Sequence, residues 1–147
     1  MSNKIIDKAV KLFSDHRYLN LGTVSASGQP MVHTLAYGSE GTTVYFFTPK
    51  DTRKVKNILA NSKVAYTVDD DRIDDIGKMV AMQALGVAKI VEMKPDVEKA
   101  QKLILAKFPE MAKMPPNPKM ILLKVEPKEI LVTDNSLGFG HQDKVEL

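Results

Sequence analysis

The opening stretch of the chain repeats its apolar positions with the period of an α-helix. Ile5, Ile6, Ala9, Val10, Leu12 and Phe13 share one broad face while Lys4, Asp7, Lys8 and Lys11 lie elsewhere, which predicts a helix over residues 3–16 capped by Ser2 or Asn3. The period then shortens to two. Leu19, Leu21 and Thr23 fall on one side of a strand over residues 18–25, and Ser25-Ala26-Ser27-Gly28 supplies turn chemistry at its end. Further strands are predicted over residues 30–37 and 43–48, with a second turn at Gly38-Ser39-Glu40-Gly41 between them. Strands in such quick succession pair antiparallel, as a meander. Helical spacing returns over residues 51–60, with Asp51 as the cap and Val55, Ile58 and Leu59 as the apolar stripe.

Strand alternation resumes over residues 63–69 at Val64, Tyr66 and Val68, and an acidic loop from Asp69 to Asp75 runs on towards Gly77. A long strand covers residues 79–92, where the central Gly86 marks either a bulge or a close approach to the backbone. Lys94-Pro95-Asp96 opens a third helix, which buries Val97, Ala100, Ile104 and Phe108 and stops at Pro109. Met114-Pro115-Pro116-Asn117-Pro118 reads as a rigid extended connector. Residues 119–133 form the last strand, with Pro127 a candidate break, and residues 134–147 read as a polar tail, mobile from residue 136. The pattern gives six strands and three helices in a single domain over residues 1–147. It lacks the βαβαβ rhythm of a parallel sheet, so the class is α+β, mainly β. A six-stranded antiparallel split β-barrel with flanking helices hides the strand edges.

Composition narrows the chemistry. At 147 residues, 44% hydrophobic and 27% charged, the chain can bury an ordinary core without a staple. The absence of cysteine removes disulfides, thiolate metal sites and cysteine nucleophiles. His16, His33 and His141 are too scattered for metal-ligand spacing, and the acidic loop lacks the glycine and closing glutamate of a calcium loop, so no metal site is expected. The net charge of +3, from 21 Lys+Arg against 18 Asp+Glu, contains no block of five like charges. Nucleic acid is therefore not an expected partner. The N-terminus lacks the apolar core of a signal peptide and no apolar run reaches membrane-span length, so a cytoplasmic protein without a membrane partner is expected.

One segment carries a chemical signal. Val44-Tyr45-Phe46-Phe47-Thr48-Pro49-Lys50-Asp51-Thr52-Arg53-Lys54 reads as a strand, a tight turn and a helix start. The first turn of a helix exposes unpaired N–H groups and the positive end of the dipole, where cations are unfavourable. Arg53 and Lys54 sit there nonetheless, beside Lys50. A bound anion would reverse the sign of that cost, because N–H groups, the Thr52 hydroxyl and two cations would converge on it. Solvated surface cations offset by Asp51 are the alternative.

Phe46-Phe47-Thr48 followed by Thr52-Arg53-Lys54 resembles, in order and spacing, the strand end and helix start of the pyridoxamine 5′-phosphate oxidase-like, FMN-binding split-barrel family. Gly28-Gln29-Pro30 in the first turn and Gly86-Val87-Ala88 in the long strand fit the same order of elements, and the resemblance covers about residues 3–133. It implies that Thr52, Arg53 and Lys54 bind the FMN phosphate. It implies that Phe47 and Thr48 line the ribityl chain and flavin edge, while Val32, His33, Thr34 and Leu35 pass the isoalloxazine ring and offer it backbone groups. Gln83 resembles a glutamine that reaches the flavin from the neighbouring subunit, so a homodimer with flavin at the subunit interface and a small-molecule redox substrate are implied as well. Ordinary roles remain open for some of these residues. One of Phe46 and Phe47 must face the core, Gln83 could be a solvated edge residue, and His33 could be a partly buried, hydrogen-bonded histidine.

The departures carry information too. The chain has no arginine after Arg72, and the second strand, Met31-Val32-His33-Thr34-Leu35-Ala36-Tyr37, lacks the arginine and lysine often seen in the vitamin-B6 oxidases. The expectation is therefore an FMN-dependent oxidoreductase that is not a true pyridoxamine phosphate oxidase. A non-catalytic flavin, deazaflavin or haem-binding protein on the same barrel is the alternative. Phe139, between Gly138 and Gly140, is a candidate gate over the flavin.

Overall fold

The structure, a computed structural model, describes residues 2–70 and 74–147. The side chains of Ser2 and Asn3, and with them the expected cap of the first helix, lie outside the described residues, as do residues 71–73 of the acidic loop. Helices α1 (Ser2–Asp15), α2 (Arg53–Ala60) and α3 (Lys94–Lys107) accompany eight strands. These are β1 (Tyr18–Val24), β2 (Pro30–Ala36), β3 (Gly38–Glu40), β4 (Thr43–Pro49), β5 (Lys63–Asp69), β6 (Val80–Val91), β7 (Met120–Asp134) and β8 (Gln142–Glu146).

The strands form one antiparallel sheet in the order β2-β1-β5-β6-β7-β4-β3, with β8 added on β7. Strands β2 and β3 occupy opposite ends of that order, yet only Tyr37 separates them in the chain. One residue cannot cross a flat sheet whose neighbouring strands lie about 4.8 Å apart. The sheet must curl until its two ends meet, and the result is a split β-barrel of the α+β class. Its interior is filled by alternate residues, among them Leu19 and Leu21 of β1, Val44 and Phe46 of β4, Val64, Tyr66 and Val68 of β5, and Ile130 and Val132 of β7. The buried face of α1, Ile5, Ala9, Leu12 and Phe13, closes one side.

Where the chain joins the two ends of the sheet, three elements are pinned together. The Tyr37 hydroxyl donates to the carbonyl of Phe13 at 2.7 Å. Lys107 of α3 donates to the carbonyls of Phe13 and His16 at 2.6 and 2.7 Å, with its ammonium 3.8 Å from the centre of the Tyr37 ring. The lysine thereby satisfies carbonyls that the C-terminus of α1 leaves open.

The structure departs from the sequence pattern in five places. The segments over residues 30–37 and 43–48 do not pair with each other as a meander: β2 pairs with β1 and β4 with β3 and β7, because the curl sends β2 and β4 to opposite sides of the sheet. Residues 38–40, read as a turn, form β3, because α3 packs so tightly there that a Cβ on Gly38 would lie 2.9–3.0 Å from Ile104 and Leu103. In the segment read as a polar tail, residues 142–146 pair with β7 as β8, whose one buried side chain is Val145. A strand with a single inward apolar residue leaves little trace in a hydropathy pattern. At Pro127, β7 does not break. The β6 partner shifts register between Leu85 and Gly86, and Gly86 carries both features expected of it, since a Cβ there would lie 2.4 Å from the carbonyl oxygen of Glu126. The bulge absorbs the N–H that proline lacks. Finally, α2 begins at Arg53 and not at Asp51, and Leu59 is exposed while Asn57 is buried in its place.

Candidate functional site

Strand β4 ends at Pro49 and the chain turns directly into α2. Asp51 does not cap that helix; its carboxylate takes a hydrogen bond from Lys119 at 3.2 Å, which holds its pKa below the usual carboxylate range. Thr52 occupies the cap position, but its hydroxyl donates back to the Pro49 carbonyl at 3.0 Å and caps nothing. The first turn of α2 therefore carries neither a side-chain cap nor an acidic residue. Its first N–H groups have no intrahelical partner. Arg53 and Lys54 are the first two residues of the helix, as the sequence pattern placed them.

The start of α2 faces the edge strand β2 across an open groove of about 620 Å³, lined by Met31, Val32 and His33 on one side and Asp51, Thr52, Arg53 and Lys54 on the other. That volume lies within the range of small-ligand sites, about 300–1,000 Å³. Lys54 is half-buried and donates to the Thr48 hydroxyl at 3.1 Å, and burial lowers its pKa. His33 Nε2 lies 2.8 Å from the Thr23 hydroxyl, and the ring's pKa is lowered first by burial and then by the charges of Lys54 and Arg53. Unpaired N–H groups, two cations and an open wall give this groove the chemistry to hold an oxyanion of small-molecule size.

The structure brings some of the expected site residues together and separates others. Val32, His33, Thr52, Arg53 and Lys54 line the groove, and Thr48 supports it from beneath through Lys54. Phe47 does not reach it. Phe46 points into the barrel, so Phe47 takes the other face of β4 and packs with Tyr45, Ala100 and Leu122 under α3. Leu35 is a core residue and Thr34 points outwards, with its hydroxyl 3.5 Å from Asn20 Oδ1. Gln83 lies on the outer face of β6, three strands away from β2 in the same sheet, and so does not line the groove of its own chain. Phe139 is 79% exposed and does not line that groove either.

The sequence pattern assigned no part in the site to two further contributors, although it set Thr23 on the same strand side as Leu19 and Leu21. Thr23 and Asn57 are buried polar residues behind His33, linked by a hydrogen bond of 2.9 Å from Asn57 Nδ2 to Thr23 Oγ1. The only signal for Asn57 is its place between Val55 and Ile58 on a short helix. Among the described residues, no group of three or more His, Cys, Asp or Glu side chains could hold a metal ion.

Fold and groove together define a split-barrel protein with an anion-compatible site between its edge strand and a helix start. The chain matches the pyridoxamine 5′-phosphate oxidase family over residues 5–134 and belongs to it. No curated protein sequence matches it. Solved structures share the fold at low identity. A heme binding protein from Mycobacterium smegmatis is 13% identical with a TM-score of 0.82, and the match covers 97% of this chain and 57% of that one. ChuZ from Campylobacter jejuni is 14% identical with a TM-score of 0.79, covering 98% of this chain and 60% of that one. HutZ from Vibrio cholerae, a heme storage protein, is 16% identical with a TM-score of 0.66, covering 96% of this chain and 94% of that one. This chain thus spans under two-thirds of the length of the first two.

Proposed function

We propose that the protein binds FMN, with the flavin phosphate in the groove at the start of α2, and works as a flavin-dependent oxidoreductase. The observation that carries this reading is the uncapped first turn of α2, where Arg53 and Lys54 stand without an acidic partner on the helix. A phosphate dianion is the complement of that turn. The family to which the chain belongs supports the choice of flavin. When bound, the flavin would supply the redox chemistry, and the protein would bind, orient and shield it.

A homodimer belongs to this proposal. Across β2, β1, β5 and β6 the outer face of the sheet carries two rows without charge, while beyond them β7 and β8 bring Glu129 and Lys144 to the same face. One row across it reads Val32, Gly22, Ala65 and Leu85, and the next reads Thr34, Asn20, Thr67 and Gln83. Val32 is 74% exposed and Leu85 53% exposed on that face. An uncharged patch with exposed apolar residues favours burial against a copy of itself. Val32 borders the groove and Gln83 lies one row away on the same surface, so a two-fold dimer through this face offers Gln83 of the partner subunit a route to the flavin.

The fold neighbours that bind heme support a second reading, in which the same barrel holds haem through its propionates. Absorbance spectroscopy separates the two. Protein purified with added FMN is expected to keep the flavin bands through desalting, and to bleach with a reduced nicotinamide or dithionite and recover in air. Retention of haem with a Soret band, and no retention of FMN, would replace the first reading by the second.

A further inference from the structure

Thr23 and Asn57 are 5% and 4% exposed, in positions where apolar side chains would be expected. Their hydrogen bonds have a direction. Asn57 Nδ2 donates to Thr23 Oγ1 at 2.9 Å and to Met31 Sδ at 3.3 Å. The same Thr23 oxygen lies 2.8 Å from His33 Nε2. A hydroxyl has one proton to give. Asn57 presents a donor to Thr23, and the buried Thr23 hydroxyl has no other hydrogen-bond partner among the described residues, so its proton is satisfied only by donation to His33 Nε2. Reversing the Asn57 amide would turn the Thr23 contact round, hydroxyl to carbonyl, but would set that carbonyl against the Met31 sulfur, which can only accept, and so the drawn orientation is the one that makes both bonds.

His33 Nε2 is then an acceptor, and in a neutral imidazole the proton sits on Nδ1. That nitrogen has no hydrogen-bond partner among the described residues and is not one of the buried unpaired atoms, so it is open to the groove that His33 lines with Arg53 and Lys54. Burial and the two neighbouring cations, which lower the ring's pKa, act in the same direction by keeping it neutral.

We propose that His33 binds the ligand directly: Asn57 and Thr23 act as positioning residues that hold its proton on Nδ1, and this N–H donates to the ligand phosphate beside Arg53 and Lys54. The inference rests on the phosphate reading above. It gives the site a third side-chain donor without a third positive charge. Removing one hydrogen bond to a charged group weakens binding by about tenfold to a hundredfold.

Two measurements test it. Long-range ¹⁵N–¹H correlation of the His33 ring in the free protein is expected to show the Nδ1–H tautomer near neutral pH. An Nε2–H tautomer or a charged ring there would overturn the proposal. In FMN titrations, His33→Asn keeps an amide N–H near the Nδ1 position, and His33→Gln places one near Nε2 instead. The Asn variant is expected to bind FMN within about threefold of the unaltered protein, and the Gln variant about tenfold to a hundredfold more weakly, with riboflavin affected in neither. Equal FMN affinity in both variants would overturn the His33 contact alone. An unaltered protein that holds FMN no better than riboflavin would overturn the phosphate reading and this contact with it, whatever the tautomer.

Discussion

Two buried tyrosines show how much a single hydroxyl can matter. Tyr37 donates to the Phe13 carbonyl at the junction of the two sheet ends, whereas the hydroxyl of the buried Tyr66 has no partner among the described residues. Burial raises the pKa of both phenols, so both hydroxyls stay protonated. Tyr37→Phe removes a made bond and should lower unfolding stability by about 1 kcal/mol. Tyr66→Phe removes an unmade one and should leave stability unchanged or raise it by up to about 1 kcal/mol. Denaturant midpoints of the two variants check the contrast, and equal losses would refute it. At the groove, Arg53→Ala with Lys54→Ala should weaken FMN by several kcal/mol, at about 1.5–3 kcal/mol for each hydrogen bond to a charged group, and riboflavin far less. A parallel loss of both flavins would show that the cations do not face the phosphate. These two cations were legible in the sequence because they break a rule of helix charge. The role of Thr23 and Asn57 was not, although the strand period set Thr23 beside Leu19 and Leu21, because what a buried polar pair does depends on strands and helices that meet only in the fold.

Among the elements, the legible ones were those with a strong period. Helix α1, the alternating β5 and the buried stripe of α3 lie where their apolar residues put them. The strands β3 and β8 escaped because each makes its pairing through the backbone and buries little side chain. Gly86 was legible as a special position, and its consequence is steric. Gly86→Ala drives a methyl onto the Glu126 carbonyl, which is backbone and cannot swing away. A loss of about 1–3 kcal/mol in thermal or denaturant unfolding is expected, and a neutral result would show that the bulge opens freely. The clamp from α3 to α1 has a pH signature. Burial pushes the Lys107 ammonium down to about 8 from its ordinary 10.5. Between those values the unfolded chain holds a proton that the native protein has released, so unfolding free energy rises with pH across the window. Below about 8 both states are protonated and that contribution is gone. Lys107→Met should therefore flatten the rise, as read from urea midpoints taken on either side of the window. The same slope in both proteins would assign the titration to another group.

For the whole molecule, the curl of the sheet puts the groove at its open edge, where β2 has no further strand partner and α2 supplies the opposite wall. The antiparallel barrel was legible from the number of strands and the missing βαβ rhythm, but its strand order was not, since the meander expected of the first three strands is broken between β2 and β4. The proposed pairing of its outer face with a second copy rests on which residues that face leaves uncovered. Leu85→Lys introduces a charge into the uncharged patch and should convert a dimer to monomer in sedimentation velocity, with FMN affinity falling as the contribution from Gln83 of the partner subunit is lost. A monomeric unaltered protein with full FMN occupancy would contradict that arrangement. Everything proposed for this groove depends on the start of α2 being a phosphate site for a flavin. Titration of the purified protein with FMN and with riboflavin, followed by flavin fluorescence, tests it most directly, because the two ligands differ only in the phosphate. FMN is expected to bind at least about a hundredfold more tightly, equivalent to about 2.7 kcal/mol for the phosphate contacts. Equal affinity for the two flavins, or no binding of either, would contradict it.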